Sequence, residues 1–465
     1  MTLNVVLIST YELGRQPFGL ASPAAWISTI GAHVDCLDLA VTALNPECIK
    51  NAHLIAFYVP MHMGTRMTVP IIEQVKSINP EAHLCCYGLY APMSEEYLRR
   101  LGVDTILGGE FETSLAHLAQ RLTDSQTAIN RTNDASSKSQ PEPVISLDRQ
   151  DFLVPRRSGL PQLNQYAHLV KSDGHHVTVG YTEASRGCKH TCRHCPIVPV
   201  YDGRFRIVQK EVVLADIRQQ VEAGAQHITF GDPDFFNGPR HALSIINSLH
   251  EDFPALTYDV IIKVEHLLKH AAHLPTLKET GCLFITSAVE SFDDNTLAIF
   301  AKNHTQADFE AALNLCRERD LLLVPTFVAF NPWTTLAEYR HFLREIVRLD
   351  LVDQVSPIQC AIRLLIPPGS RLLDLPTVRD VVGELDASKL SYTWQNPDPR
   401  VDQLQRDLEY LVQSCAAREV PRREVFRRIW EHAFEAIGDA EGNVPFPNLP
   451  PWSRFIPYLS EPWYC

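Results

Sequence analysis

Short apolar runs alternate with stretches of helical spacing along the first quarter of the chain. Asn4–Ser9 (NVVLIS), His33–Leu37, Leu54–Val59 (LIAFYV), His83–Tyr87 and Val103–Leu107 read as strands. Between them Pro23–Gly31, Val69–Ile78 and Ser94–Leu101 carry apolar residues at helical intervals, and a loop runs through Tyr11, Gly14 and Gly19. This alternation predicts an α/β unit over residues 1–122 with a doubly wound parallel sheet, whose ligands bind beyond the carboxyl ends of the strands.

From Thr123 to Pro143 the text turns to Ser, Thr, Asn, Asp, Gln and Lys, a surface excursion that a bridging segment, Val144–His176, follows. Residues 123–176 are therefore read as linker and bridge. A second alternating region spans 177–371. Its predicted strands are Val177–Thr182, His227–Phe230, Tyr258–Ile262, Cys282–Ala288, Leu321–Val328 and Ser356–Leu365. In the predicted helix Glu211–Ala223, residues Leu214, Ile217 and Val221 share a face and Gly224 suits the cap. Strand–helix units in this number predict a partial (βα)6 barrel with chemistry at the strand C-termini. Residues 372–465 read as helical, with helices expected at Val401–Ala417 and Arg422–Ile437, and end in a tail rich in Pro and aromatic residues.

Composition narrows the setting. In 465 residues, 55 Asp and Glu outweigh 42 Lys and Arg for a net charge of −13, which argues against a protein held to nucleic acid by its overall field. No apolar run approaches the ~18 residues of a membrane span, and the start lacks the features of a signal peptide. The expected setting is soluble and cytoplasmic, without a membrane partner. Twelve cysteines in a reducing compartment need an explanation other than disulfides. Eight are scattered (Cys36, Cys48, Cys85, Cys86, Cys282, Cys316, Cys360 and Cys415) and read as small buried hydrophobes. Cys465 is the final residue, and the other three are bunched.

The bunched three lie in Ser185-Arg186-Gly187-Cys188-Lys189-His190-Thr191-Cys192-Arg193-His194-Cys195-Pro196, a C-x3-C-x2-C spacing on the loop leaving the first barrel strand. Three thiolates on one short loop can ligate three irons of a [4Fe–4S] cluster and leave the fourth iron open for a small molecule. The competing reading is structural zinc completed by His190 or His194, although zinc sites usually draw on two separated ligand pairs. A non-catalytic iron–sulfur sensor or scaffold also remains open.

With this motif the chain resembles the radical SAM superfamily, and later segments follow that family's order. Gly231-Asp232-Pro233-Asp234 stands where the family carries Gly-Gly-Glu, and Ala288-Val289-Glu290-Ser291 resembles the segment ending its fourth strand. Leu321–Phe330 followed by Asn331-Pro332-Trp333-Thr334-Thr335 resembles the fifth strand and its turn, and Ile366-Pro367-Pro368-Gly369-Ser370 resembles the turn after the sixth. The resemblance implies a [4Fe–4S] cluster on Cys188, Cys192 and Cys195. It also implies S-adenosylmethionine (SAM) held by Gly231, Asp232, Pro233, Glu290, Ser291 and Arg363, and cleavage of SAM to a 5′-deoxyadenosyl radical. An electron donor such as flavodoxin or ferredoxin would supply the electron, and Lys263, Glu265 and His266 could face an unidentified substrate.

The first unit resembles the cobalamin-binding domains that precede such barrels. The match rests on Tyr87-Gly88-Leu89-Tyr90-Ala91 and on Val103 to Thr113, with Asp104, Gly108, Gly109, Glu110 and Glu112 in the family's D-x-V-x-x-G-E-x-E-x-T pattern. The resemblance implies cobalamin contacts from His62, Gly64, Thr65, Gly88, Gly108, Gly109 and Glu110, and methylation of, or rearrangement at, an unactivated carbon. One departure concerns the axial ligand. Ser9-Thr10-Tyr11-Glu12-Leu13-Gly14 stands where a D-x-H-x-x-G loop would supply the lower histidine. The alternatives are a radical SAM enzyme without cobalamin, including an RNA-modifying methylthiotransferase. That reading lacks its N-terminal cysteines and basic RNA-binding module here, so a nucleic-acid partner is not expected. Finally, Glu461-Pro462-Trp463-Tyr464-Cys465 resembles the approach to the Cys-Sec-Ala-Glu-Pro or Cys-Cys-Ala-Glu-Pro tail of one radical SAM family. On that resemblance, Cys465 is expected to be catalytic, half of a redox pair truncated where a selenocysteine codon was read as stop.

Overall fold

The computed structural model describes residues 2–129, 141–171, 174–435, 444–449 and 456–461. Cys465 and the middle of the polar excursion lie outside these residues. Strands β1 (Asn4–Ser9), β2 (His33–Asp38), β3 (Leu54–Tyr58), β4 (His83–Tyr87), β5 (Thr105–Gly109) and β6 (Ile145–Ser146) form one sheet in the order β2-β1-β3-β4-β5-β6. Every pair in it is parallel. The near-continuous apolar runs follow from burial on both faces. Val5, Leu7, Ala56, Cys85 and Tyr87 pack into one core, while Val6, Ile8, Phe57, Leu84 and Cys86 pack into the other. The sixth strand comes from the segment read as a bridge. Two helices start earlier than their spacing predicted, at Phe18–Thr29 and His62–Ile78. In the first, Gly19 is a packing glycine rather than a loop glycine, because a Cβ there would meet the Tyr58 ring at 2.2 Å.

The second sheet is an open half-barrel. Strands β7 (His168–Val170) and β8 (His176–Thr182) pair antiparallel at its first edge, and a short hairpin of β9 (Ser185–Gly187) and β10 (Phe205–Ile207) stands outside it. The parallel run continues through β11 (His227–Phe230), β12 (Thr257–Ile261), β13 (Cys282–Glu290) and β14 (Leu322–Phe327), each beside the last. The predicted sixth strand at Ser356–Leu365 does not form. Pro357 opens a 3-10 turn, Pro357–Cys360, where a fixed φ and a missing N–H disfavour a ladder, and only the parallel bridge Phe330–Arg363 remains.

The helix Lys210–Glu222 also turns a different face inward. Val213, Asp216, Ile217 and Gln220 are buried, and Leu214 and Val221 lie at the margin. Its two buried polar residues are employed: Asp216 pairs with Arg157 at 2.7 Å, and Gln220 accepts the Tyr181 N–H at 2.8 Å.

After the barrel come the hairpin β15 (Val382–Asp386) and β16 (Ser391–Trp394), absent from the sequence reading, and the helices Pro399–Ala416 and Arg422–Glu435. Strand β17 (Tyr458–Leu459) adds antiparallel to β7 and brings Glu461 to the Tyr11 hydroxyl, which donates to its carboxylate at 3.0 Å. Of the eight scattered cysteines, six are buried, and Cys36 and Cys48 are half-buried, as expected for small hydrophobes. No described helix is long and apolar enough to cross a membrane.

Candidate active site at the cysteine loop

The β9–β10 hairpin holds the start of the cysteine loop. Gly187 sits at φ 70°, and a Cβ there would meet the Arg204 carbonyl at 2.4 Å, so only glycine fits between Arg186 and Cys188. The far side of the loop is tied to the barrel rim. The Arg193 N–H donates to the Phe300 carbonyl at 2.9 Å, and the Arg193 carbonyl accepts the Leu372 N–H and Ser370 hydroxyl, both at 3.2 Å. The Pro367-Pro368-Gly369-Ser370 turn predicted after the barrel thus braces the loop itself. Burial pushes the Cys195 thiol up to about 12 and raises that of Cys188. Ligation would therefore release protons, since thiolates are the binding form.

Among the described residues the donor set within reach of a single ion is Cys188, His190 and Asp234. Zinc on all three cysteines with His190 or His194 finds no such grouping. Three separated thiols on one loop instead match the three corners of a polynuclear cluster, which spreads its ligands more widely than one ion does.

Glu290 ends β13 at φ 73°, a left-handed conformation that a residue with a side chain adopts only when its surroundings enforce it, and the β13–β14 register shifts there. Its carboxylate lies 3.1 Å from His194 Nε2 and 3.2 Å from Lys302 Nζ. Burial would raise this carboxyl, but Lys302 and then His194 outweigh it and hold it at about 2. Lys302 is itself only 4% exposed; burial works against its charge, but the Glu290 carboxylate outweighs burial and raises its pKa. On the other flank Asp234 Oδ2 is 2.6 Å from His266 Nδ1 and 3.3 Å from His190 Nε2. Lys263 Nζ is 3.1 Å from His190 Nδ1 and 3.3 Å from Glu265. The structure therefore gathers Glu290, Lys263, Glu265 and His266 around the loop, as their positions at strand ends suggested. It adds Lys302 and Asn237, which no motif marked.

Other predicted SAM residues are placed differently. Asp232 is 1% exposed and accepts the Ala184 N–H at 2.9 Å and the Ser185 hydroxyl, so it fixes the backbone entering the loop. Burial raises it to about 7 against those hydrogen bonds. Gly231 packs on Tyr181, whose hydroxyl would lie 1.9 Å from an added Cβ. Pro233 is half-buried, and the Ser291 hydroxyl accepts the Asp293 N–H at 3.0 Å. Arg363 departs most from expectation. Its guanidinium pairs with Asp402 at 2.6 Å, donates to the Trp394 carbonyl at 2.6 Å and stacks on the Trp394 ring, so its donors serve the C-terminal region.

At the carboxyl edge of the N-terminal sheet the glycines predicted to face cobalamin are filled by the chain. An added Cβ would meet Pro92 at 2.1 Å from Gly108, the Ser146 carbonyl at 2.1 Å from Gly109, and the Val59 carbonyl at 3.0 Å from Gly88. Gly64 and Thr65 lie in the first turn of the helix after β3, where the Thr65 hydroxyl donates to the Met61 carbonyl at 2.8 Å. His62 opens that helix, half-buried, with Nε2 against the Lys389 carbonyl.

Glu110 is 1% exposed. With Glu112 it faces Arg186, whose guanidinium donates to both Glu112 oxygens at 2.8 and 2.6 Å and lies 3.7 Å from Glu110. The rings of Phe111, Phe152 and Phe18 enclose that guanidinium. Arg186 stands two residues before Cys188, so the carboxylates read as a cobalamin motif are bolted to the cysteine loop.

The same edge does hold buried polar atoms without a hydrogen-bond partner among the described residues. These are Ser9 Oγ at the end of β1, Glu12 Oε2 and Arg15 Nε beyond it, and Glu110 Oε1 beyond β5. Those at the end of β1 lie at the crevice where the strand order reverses between β1 and β3, the usual ligand position in such sheets, whereas Glu110 follows β5. Arg15 also lies over the ring of Tyr181 at 4.7 Å, so this crevice adjoins the end of the first barrel strand.

Residues 182–340 match the model of the Radical SAM superfamily, and the chain therefore carries a radical SAM domain. It is 22% identical over 328 residues to the hopanoid C-3 methylase of Methylococcus capsulatus, covering 69% of this chain but only 62% of that protein's length. Two solved structures share the fold. The radical S-adenosylmethionine methyltransferase TsrM from Kitasatospora setae, solved with cobalamin and a [4Fe–4S] cluster, aligns with a TM-score of 0.68 at 14% identity, over 94% of this chain and all of that one. The cobalamin-dependent radical enzyme OxsB, solved with aqua-cobalamin and S-adenosylmethionine, aligns with a TM-score of 0.64 at 14% identity, over 89% of this chain and 67% of its own.

Proposed function

We propose that this chain, with its radical SAM domain, is a cobalamin-dependent radical SAM enzyme that methylates or rearranges an unactivated carbon of its substrate. The observation that carries the reading is one of placement. Three cysteines leave the first strand of a parallel half-barrel, and the unsatisfied polar edge of a doubly wound sheet adjoins that strand's end. When bound, a [4Fe–4S] cluster with one open iron supplies the electron that cleaves S-adenosylmethionine to a 5′-deoxyadenosyl radical.

The chain's own residues supply everything else. Cys188, Cys192 and Cys195 provide the thiolates, and Lys302 balances their charge from a buried position. Asp232 and Arg186 fix the entry to the loop, while Ser370 and Phe300 brace its exit. Glu290 is kept ionised by Lys302 and His194 at the barrel mouth, where Ser291 and Pro233 also stand, and these groups would orient the amino and carboxylate ends of the cofactor. Ser9, Glu12, Arg15 and the helix start at His62 would meet the corrinoid side chains. A low-potential donor such as flavodoxin or ferredoxin would supply the electron, in the reducing setting of the cytoplasm.

Anaerobic reconstitution with iron and sulfide tests the core of the reading. The reduced protein is expected to convert S-adenosylmethionine to 5′-deoxyadenosine and to copurify with corrinoid when expressed with the vitamin. A reduced, cluster-loaded protein that leaves the cofactor uncleaved would sink the enzymatic reading. Cleavage without bound corrinoid would remove cobalamin alone.

A further inference from the structure

Asn237 closes the short 3-10 turn Phe235–Asn237 that follows β11 and its Gly231–Asp234 loop. Its backbone N–H donates to the Asp234 carbonyl at 2.9 Å, and Phe235 and Phe236 beside it are core residues. The residue itself is fully buried. One end of its amide is committed, since Oδ1 accepts the Lys189 N–H at 3.2 Å and the Cys188 thiol at 3.8 Å. The other end is not, because Nδ2 is buried without a hydrogen-bond partner among the described residues.

A buried amide N–H left without an acceptor is costly, so it needs an explanation in the working state of the protein. The working state changes the neighbourhood in one direction. On ligation Cys188 loses its S–H proton and becomes a pure acceptor, and a cluster adds sulfide acceptors. Lys189 N–H continues to hold Oδ1, which leaves the two hydrogens of Nδ2 as the available donors.

We propose that the Asn237 side-chain amide donates a hydrogen bond to a sulfur of the cluster assembled on the cysteine loop and thereby sets its reduction potential. The inference rests on the reading that Cys188, Cys192 and Cys195 hold a [4Fe–4S] cluster. The direction follows from charge: an N–H donor stabilises the reduced, more negative cluster, so the bond raises the potential and eases reduction by an external one-electron donor. Asn237 is thus a tuning residue, and neither its position nor its type belongs to the C-x3-C-x2-C motif.

The test is a redox titration of the reconstituted cluster, read by electron paramagnetic resonance, in wild type and in Asn237→Leu. The leucine has similar volume and no donor. Iron and sulfide content should be unchanged, while the reduction equilibrium weakens by about tenfold, a drop of about 59 mV for one electron. A second measurement covers the case in which Asn237→Leu fails to assemble its cluster. In wild type labelled with 15N only at asparagine side-chain amides, the reduced cluster should show a 15N hyperfine coupling in pulsed spectra. A cluster of normal content with no 15N coupling overturns this inference alone, as does an unchanged potential in Asn237→Leu. Wild-type protein that assembles no cluster overturns the cluster reading above as well.

Discussion

At the carboxyl edge of the N-terminal sheet, Gly108 packs against Pro92 and Gly109 against the Ser146 carbonyl. At the carboxyl edge of the half-barrel, the strand ends carry Lys263 and Glu290, with Asp232 and Asp234 close behind, all turned toward a cysteine loop. Both edges belong to parallel sheets and both occupy the position where such sheets bind ligands. They differ in how the chain supplies polarity. In the barrel, charged side chains form a ring of named pairs around the thiols. In the N-terminal unit, the glycines admit neighbouring segments, the carboxylates clamp Arg186, and buried polar atoms without partners among the described residues stand on Ser9, Glu12 and Arg15, which the glycine motif does not include. A motif can thus keep its sequence and serve packing, while the unpartnered polar atoms stand on residues beside it.

Four changes would break or sharpen this contrast. The largest effect is expected at the cysteines. Replacing Cys188, Cys192 or Cys195 with Ala should reduce cluster iron and sulfide to background and abolish reductive cleavage of S-adenosylmethionine. A cluster of normal content in any of the three would remove that cysteine from the ligand set.

Arg186→Met tests whether the clamp between the two sheets is structural. It leaves Glu112 buried and unpaired, and should lower the unfolding free energy by about 3–5 kcal/mol in denaturant titrations. A loss below about 1 kcal/mol would mean that water or rearrangement relieves Glu112.

Gly109→Ala addresses the glycines themselves. At φ 71° the left-handed backbone costs alanine about 1–2 kcal/mol, and the contact with the Ser146 carbonyl adds to it. Stability should therefore fall, while the corrinoid content of the folded fraction stays constant. Normal stability with loss of corrinoid would restore Gly109 to the ligand surface.

The smallest effect concerns Glu110. Burial raises its carboxyl to about 7 although Arg186 pulls it down. The folded state therefore keeps a proton that the unfolded state has released, and this group's contribution is full below pH ~4.5 and is lost as pH rises through 7. Over that window stability should fall by at most about 1.4 kcal/mol per pH unit from this residue, and Glu110→Gln should flatten that slope. An unchanged slope in Glu110→Gln would place the titration elsewhere in the cluster.

Much of the architecture was legible because it is local. β1, β4 and β11 coincide with their apolar runs, since a strand buried on both faces must be apolar throughout. The errors share a cause. The helices at Phe18 and His62 begin before the helical spacing becomes visible; at the first, Gly19 read as loop, but it is small because Tyr58 lies 2.2 Å from where its Cβ would be. The Ser356–Leu365 strand failed because apolar content outvoted Pro357, whose missing N–H settled the backbone. The helix Lys210–Glu222 turned a face containing Asp216 inward because Arg157, in the segment read as a bridge, supplied its partner.

The sequence by itself determined the cysteine spacing, the strand positions around it and hence the donors for a cluster, because ligands on one short loop are brought together by the loop alone. Tertiary structure decided what surrounds those donors. Lys302 meets Glu290, Arg186 meets Glu112, and Asn237 meets Cys188 only because strands distant in the chain end at one place. Such pairings depend on topology and register, which apolar periodicity leaves open, and it is these contacts that set charge and redox poise at the site.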